Sequence, residues 1–249
     1  MERDIFSGKK AVIFDWDGTL ADSVGVWDAA DRELIAEIAG SERAAGTDFH
    51  ALREEWLRAN GGGADTYLRY CAFLGERFGR AESAERLYAR RRRLADRYLR
   101  EKVDYKEGAE VLLRMLKRRG FLLAVASGTL RENMEIYRRE NKNILAKAPP
   151  DDYFSVILTR EDAPEMKPSP EIYLRAVSML GVSAGECLAF EDSLSGVEAA
   201  KGAGIRTVAV ENGYSDGERK ETEAVADVCI SGFPEAVALL SRSEPSFRG

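Results

Sequence analysis

Ala11-Val12-Ile13-Phe14-Asp15-Trp16-Asp17-Gly18-Thr19-Leu20 decides the fold. Its first four residues are all apolar and stand between Lys10 and Asp15. Such an unbroken apolar run reads as a strand buried on both faces, as in a parallel sheet covered by helices. Asp15 and the residues after it then form the loop at the strand's C-terminal end. Beyond Glu107-Gly108 similar runs return, separated by helical periods. The pattern predicts a helix over Ala109–Arg119, a strand over Phe121–Ala126, a helix from near Leu130 and a loop at Pro149-Pro150. It continues with a strand over Ser155–Leu158 and a helix over Pro170–Leu180, whose proline sits where a missing N–H costs nothing. A strand over Cys187–Phe190, a helix through Lys201, strands over Arg206–Val210 and Asp227–Ile230, and a helix over Phe233–Leu240 complete it. Strands alternating with helices imply an α/β fold with a doubly wound parallel sheet. Right-handed crossovers then line up the C-terminal strand ends along one edge, where ligands bind.

Between these parts the pattern is helical. Trp27, Leu34, Ile35 and Ile38 recur at helix spacing, as do Tyr67, Tyr70, Cys71, Leu74 and Phe78. Gly40–Gly46 and Asn60–Gly63 read as loops. With no strand signal from Val24 to Arg100, this stretch is expected to be an all-α insert. The expected division is a core of residues 1–22 and 105–249 around a helical domain of residues 23–104. The basic run Arg90–Arg93 reads as a solvated helix face, since Glu82 and Glu85 precede it and Asp96 follows. Ser241–Gly249 reads as a frayed tail.

The 249 residues are 45% apolar, enough for a sizeable core, and 32% charged with a net charge of −6. That balance offers no general attraction for nucleic acid. No apolar run is long enough to span a bilayer, and the polar N-terminus has no signal-peptide pattern. A cytoplasmic protein, monomeric or weakly dimeric, is expected. Cys71, Cys187 and Cys229 follow no metal or redox spacing and are expected to be buried reduced thiols. His50 is the only histidine, so a histidine-rich metal site is excluded.

Chemistry-bearing residues fall just after successive strands: Asp15 and Asp17, Ser127, Lys167, and Glu191 with Asp192. Phe14-Asp15-Trp16-Asp17-Gly18-Thr19-Leu20 resembles the first signature of the haloacid dehalogenase (HAD) superfamily. Val125-Ala126-Ser127-Gly128-Thr129 resembles the second, Lys167-Pro168-Ser169-Pro170 the third, and Phe190-Glu191-Asp192-Ser193 with Gly196, Ala199 and Gly204 the fourth. The resemblance is nearest the β-phosphoglucomutase and phosphoglycolate phosphatase-like branch. It implies a Rossmann-like core, a helical cap at Val24–Arg100 and phosphoryl-transfer chemistry.

The residue types suit that chemistry. A carboxylate, Asp15, can attack phosphorus and form an aspartyl phosphate. Asp17 can protonate the leaving oxygen and then activate water. Gly18 lets the backbone turn sharply toward a phosphate. Ser127, the Gly128 N–H and Lys167 can hold phosphoryl oxygens. An oxygen-only set, Asp15, Asp192 and the Asp17 carbonyl, suits Mg²⁺, with Glu191 ligating directly or through water. The expected activity is hydrolysis of a small phosphorylated metabolite. Asp17 argues against dehalogenation. The sugar mutases of this branch carry a histidine at the position aligned with Trp27, so a phosphosugar mutase ranks second. Lys102, the only lysine between Lys10 and Lys106, lies at the insert's edge, which argues against phosphonate cleavage through a cap lysine. The filled core positions argue against a silent binding module. Arg43, His50, Arg53 and the Asn60–Gly63 loop are candidates for substrate contacts, although ordinary surface roles fit them too. Trp27 is read as packing. Asn143–Asp152 looks longer than this branch usually has.

Overall fold

The computed structural model describes residues 4–60, 65–79, 82–212 and 219–243. Contacts divide the chain into two compact units, Met1–Ser23 with Val103–Gly249, and Val24–Lys102.

The first unit is built on six parallel strands: β1 (Ala11–Phe14), β2 (Leu122–Ala126), β3 (Val156–Leu158), β4 (Cys187–Glu191), β5 (Arg206–Val210) and β6 (Val228–Ile230), in the order β3-β2-β1-β4-β5-β6. The chain winds outward from β1 to β3, then returns to the other side of β1 for β4. That reversal makes the crevice between β1 and β4 the topological switch point. Phe14 pairs in register with Phe190, so Asp15 comes out beside Glu191. The two rings stack 5.1 Å apart, with Phe233 tilted against both. Ile13, Ala124, Ala189, Ile172, Tyr173 and Ala199 belong to a second buried cluster. Small alanines there let the helices approach the sheet closely.

In the second unit α1 (Val26–Ala39), α2 (Ser41–Ala45), α3 (Phe49–Asn60), α4 (Thr66–Phe78) and α5 (Ala84–Glu101) are all helices. No strand occurs among its described residues. The Gly40–Gly46 loop is corrected, because its middle is the short helix α2. Gly61 to Gly63, from the expected Asn60–Gly63 loop, lie outside the described residues.

The reading of Arg90–Arg93 as a solvated face is also corrected. Arg91 is 2% exposed and pairs bidentately with the fully buried Asp31. Its guanidinium lies 4.8 Å from the Trp27 ring and 5.3 Å from that of Tyr70. Sign counting missed the helical phase: Arg91 falls in line with Leu87, Ala95 and Leu99, which are all buried. Arg90 and Arg92 pair instead with Glu37, Glu82 and Asp96. Arg91→Ala would leave the Asp31 charge with Arg53, at 3.4 Å, as its remaining cation among the described residues, beside the Tyr70 hydroxyl at 3.3 Å. A loss of about 3 kcal/mol is expected, measured by urea unfolding followed by circular dichroism.

The rest of the first unit comprises α6 (Ala109–Arg118), α7 (Arg131–Arg139), α8 (Lys142–Lys147), α9 (Pro150–Tyr153), α10 (Glu171–Leu180), α11 (Leu194–Gly202), α12 (Arg219–Val225) and α13 (Phe233–Arg242). Asn143–Asp152 is not plain loop. Pro150 opens α9, a place where proline is tolerated, and the Asn141 side chain caps α8 by accepting from the Ile144 N–H at 2.8 Å. The segment holds the chain at Val103–Tyr105: Asn141 and Asn143 donate to the Val103 carbonyl, and the Tyr105 hydroxyl donates to the Ala148 carbonyl. The sequence reading did not foresee α12. Ser241 and Arg242 extend α13, while residues 244–249 of the expected frayed tail lie outside the described residues. Cys71 and Cys187 are buried, but Cys229 is exposed, because β6 is an edge strand. No helix among the described residues is long and apolar enough to cross a membrane.

Candidate active site

Asp15 directly continues β1, and its N–H extends the ladder to the Phe190 carbonyl at 3.0 Å. Glu191 is the last residue of β4 and Asp192 the next. One oxygen from each of these three buried carboxylates lies within 4.8 Å of the other two. Lys167 reaches in from beyond β3, with Nζ 2.7 Å from Asp15 Oδ1 and 2.5 Å from Glu191 Oε1. These four residues, which sequence placed at three separate strand ends, are thus one cluster.

Glu191 is fully buried. Its Oε1 accepts from Lys167 and from the Tyr173 hydroxyl at 2.5 Å; its Oε2 accepts from the Asp192 N–H at 3.3 Å. The Lys167 ammonium also lies 5.3 Å from the Tyr173 ring centre, within cation–π reach. Gly196 is required here, since a Cβ would sit 2.1 Å from the Glu191 carboxyl. Asp192 accepts from Thr19 Oγ1 at 2.7 Å and from the Asn212 amide.

The electrostatics follow from burial. Burial pushes Asp15 well above the usual carboxylate range; Lys167 opposes the rise, while Glu191 and Asp192 add to it. Asp192 is pushed up to about 6 by burial and then by the Glu191 charge. Burial works against the Lys167 charge, but Asp15 and Glu191 outweigh it and raise its pKa. The three carboxylates share the Lys167 ammonium, with the Lys106 charge also acting on Asp192, and the negative excess left in this buried crevice is one that a bound cation would relieve.

Asp17 lies in a tight loop made possible by Gly18, whose φ of 85° favours glycine. Gly18 N–H donates to the Ala21 carbonyl, and Ala21 N–H to the Trp16 carbonyl. The Asp17 carboxylate accepts from Ser23 Oγ at 2.6 Å and from the Tyr137 hydroxyl at 3.0 Å. Burial, then the Asp17 charge, hold the Tyr137 phenol well above its usual pKa. Ser127 ends the β2 ladder by donating its N–H to the Leu158 carbonyl; its buried Oγ accepts from the Thr129 N–H at 3.2 Å. Gly128 is exposed, and a Cβ there would meet nothing within 4 Å.

Sequence reasoning missed Tyr173, Tyr137, Ser23, Thr19 and Asn212. Thr19 stood inside the first motif and carried a legible signal. The tyrosines came from the apolar faces of α10 and α7, where a ring reads as core. Of the proposed substrate contacts, Arg53 is buried among Asp28 and Asp31. His50 Nδ1 lies 3.7 Å from Asp28, and Arg43 donates to the Phe78 carbonyl at 3.4 Å. All three are engaged inside the helical unit.

The family model of haloacid dehalogenase-like hydrolases matches residues 9–204. Protein CbbY of Rhodobacter capsulatus is 32% identical over 211 residues, covering 84% of this chain and 88% of that protein. Hexitol phosphatase B of Escherichia coli is 28% identical over 230 residues, 92% of this chain and 94% of its own length. The crystal structure of CbbY from Rhodobacter sphaeroides in complex with phosphate superposes with a TM-score of 0.68 at 28% identity, covering 94% of this chain and 99% of that one. With the strand-end cluster, these matches establish that the chain belongs to the haloacid dehalogenase-like hydrolases, in the branch of phosphatases and β-phosphoglucomutases.

Proposed function

We propose that this protein is a magnesium-dependent phosphatase that hydrolyses a small phosphorylated metabolite, with Asp15 as covalent nucleophile. The observation that carries the reading is Asp15 at the switch point, bonded to Lys167 and grouped with Glu191 and Asp192. Phosphate bound to a CbbY relative, and the hexitol phosphatase named among the relatives, support it.

The donor set fits a hard divalent ion, being all oxygen, carboxylate-rich and short of positive charge. Asp15 and Asp192, with the Asp17 carbonyl, would hold it. Glu191 anchors Lys167, its Oε1 accepting from both that ammonium and the Tyr173 hydroxyl, and would ligate directly or through water. When bound, the ion neutralises charge on the phosphoryl oxygens.

An Asp15 oxygen attacks phosphorus as the bond to the leaving oxygen breaks, and Asp17 gives that oxygen its proton. Lys167, Ser127 and the Gly128 N–H hold the remaining phosphoryl oxygens. Water then attacks phosphorus, Asp17 takes its proton, and the bond to Asp15 breaks, releasing phosphate. Asp17→Asn is expected to lower turnover at least ~100-fold, the scale of a lost general acid–base group.

Phosphorus NMR on a hexose 1-phosphate tests the reading. Release of inorganic phosphate with no bisphosphate activator is expected. Faster conversion to the 6-phosphate would replace the hydrolase with a mutase.

A further inference from the structure

Two hydroxyl groups converge on a single oxygen of Asp17. Ser23 Oγ lies 2.6 Å and the Tyr137 hydroxyl 3.0 Å from Oδ1. Among the described residues Oδ2 accepts no hydrogen bond. A phenol has an ordinary pKa of about 10 and keeps its proton at neutral pH, so Tyr137 is the donor and the carboxylate the acceptor. The tyrosine is fully buried on α7, and its ring packs 5.2 Å from that of Trp16, the residue between Asp15 and Asp17. Asn133, Met134 and Ile136 are buried along the same helix. The hydroxyl is therefore delivered by a fixed ring on a packed helix. Two donors from different directions fix both the position and the rotation of a carboxylate that would otherwise turn about χ2.

We propose that Tyr137 is a positioning residue for the proton transfers of Asp17, pinning Oδ1 so that Oδ2 carries the proton to the leaving oxygen. The inference rests on the phosphatase reading, with Asp17 as acid and base. Nothing bonds covalently to Tyr137; its proton stays on its own oxygen while the proton on Oδ2 moves to the leaving alkoxide.

The test is Tyr137→Phe, which keeps the ring and removes only the hydroxyl, assayed on two probes. Benzyl phosphate loses an alkoxide and needs the acid. 4-Nitrophenyl phosphate loses a stabilised phenolate and needs it little. Because kcat/KM reports the steps through cleavage of the ester, the variant is expected to lose ~10-fold on benzyl phosphate and less than about 2-fold on the nitrophenyl ester. On benzyl phosphate, Asp17→Asn with Tyr137→Phe should be no slower than Asp17→Asn alone, because the positioned group is already gone.

Equal losses on both probes, additive losses in the double variant, or a Tyr137→Phe enzyme as fast as wild type on benzyl phosphate would each overturn the inference. A wild type that cleaves the nitrophenyl ester but not the benzyl ester lacks the acid step and overturns it too, leaving the phosphatase reading intact. A wild type inactive on both overturns that reading and this inference with it.

Discussion

Asp15→Asn is expected to fold normally and to lose turnover by roughly ten-thousand-fold or more, the scale seen when a covalent nucleophile is removed. The size follows from the absence of a substitute. Glu191 is the nearest carboxylate in the sheet register, but Lys167 and Tyr173 hold one of its oxygens and the Asp192 N–H binds the other. Asp192 is tied to Thr19 and Asn212. An amide at position 15 still accepts a hydrogen bond from Lys167 through its carbonyl oxygen. It also removes one of three crowded negative charges, so the fold is not put at risk. Turnover of 4-nitrophenyl phosphate, with thermal unfolding as the folding control, checks the expectation. Residual activity within about tenfold of wild type would remove Asp15 from its role.

Chelation is expected to abolish turnover, with Mg²⁺ restoring it and Ca²⁺ restoring it poorly, since the larger ion is less strict in geometry. Full activity in excess chelator would contradict this. The same cluster gives a readout independent of activity. Asp192 has an ordinary pKa of 3.8 and is pushed up to about 6 in the folded metal-free chain, by burial and then by Glu191. The folded state therefore holds this proton more tightly than the unfolded state does. Between those two values the metal-free chain gains stability from this group as pH falls, and above about 6 the gain is lost. Asp192→Asn removes the buried charge. It is expected to raise the metal-free melting temperature at pH 7, by up to about 3 kcal/mol of stability for a shift of this size. The difference from wild type should shrink toward pH 4, and the variant should lose the Mg²⁺-induced rise in melting temperature. A lower metal-free melting temperature at pH 7 would contradict the electrostatic account.

The sheet was legible because its strands are short runs buried on both faces. The stretch from Ala11 to Phe14 needs no context to read as a buried parallel strand. The acidic cluster was legible for a related reason. Parallel topology sends every strand's C-terminal end to one edge, so residues far apart in sequence could be assigned to one place. What escaped was the set of contacts made by side chains whose identity points elsewhere. Tyr137 and Tyr173 lie on apolar helix faces, where sequence pattern sees only rings. Arg91 was hidden by its like-charged neighbours, although its phase with Leu87 and Ala95 marks it as inward-facing. In each case the pattern reported hydrophobicity or charge sign, whereas the structure used a hydroxyl or a guanidinium at a buried position.

The claim at the centre of this account is that the phosphoryl group passes through Asp15. Its most direct measurement is an acid quench of wild-type enzyme turning over a 32P-labelled phosphate monoester in Mg²⁺, followed by peptide mapping of the acid-stable label. Label on the peptide containing Asp15, absent from Asp15→Asn, is the predicted result. Label on any other residue, or active turnover with none trapped on the protein at any quench time, would contradict it.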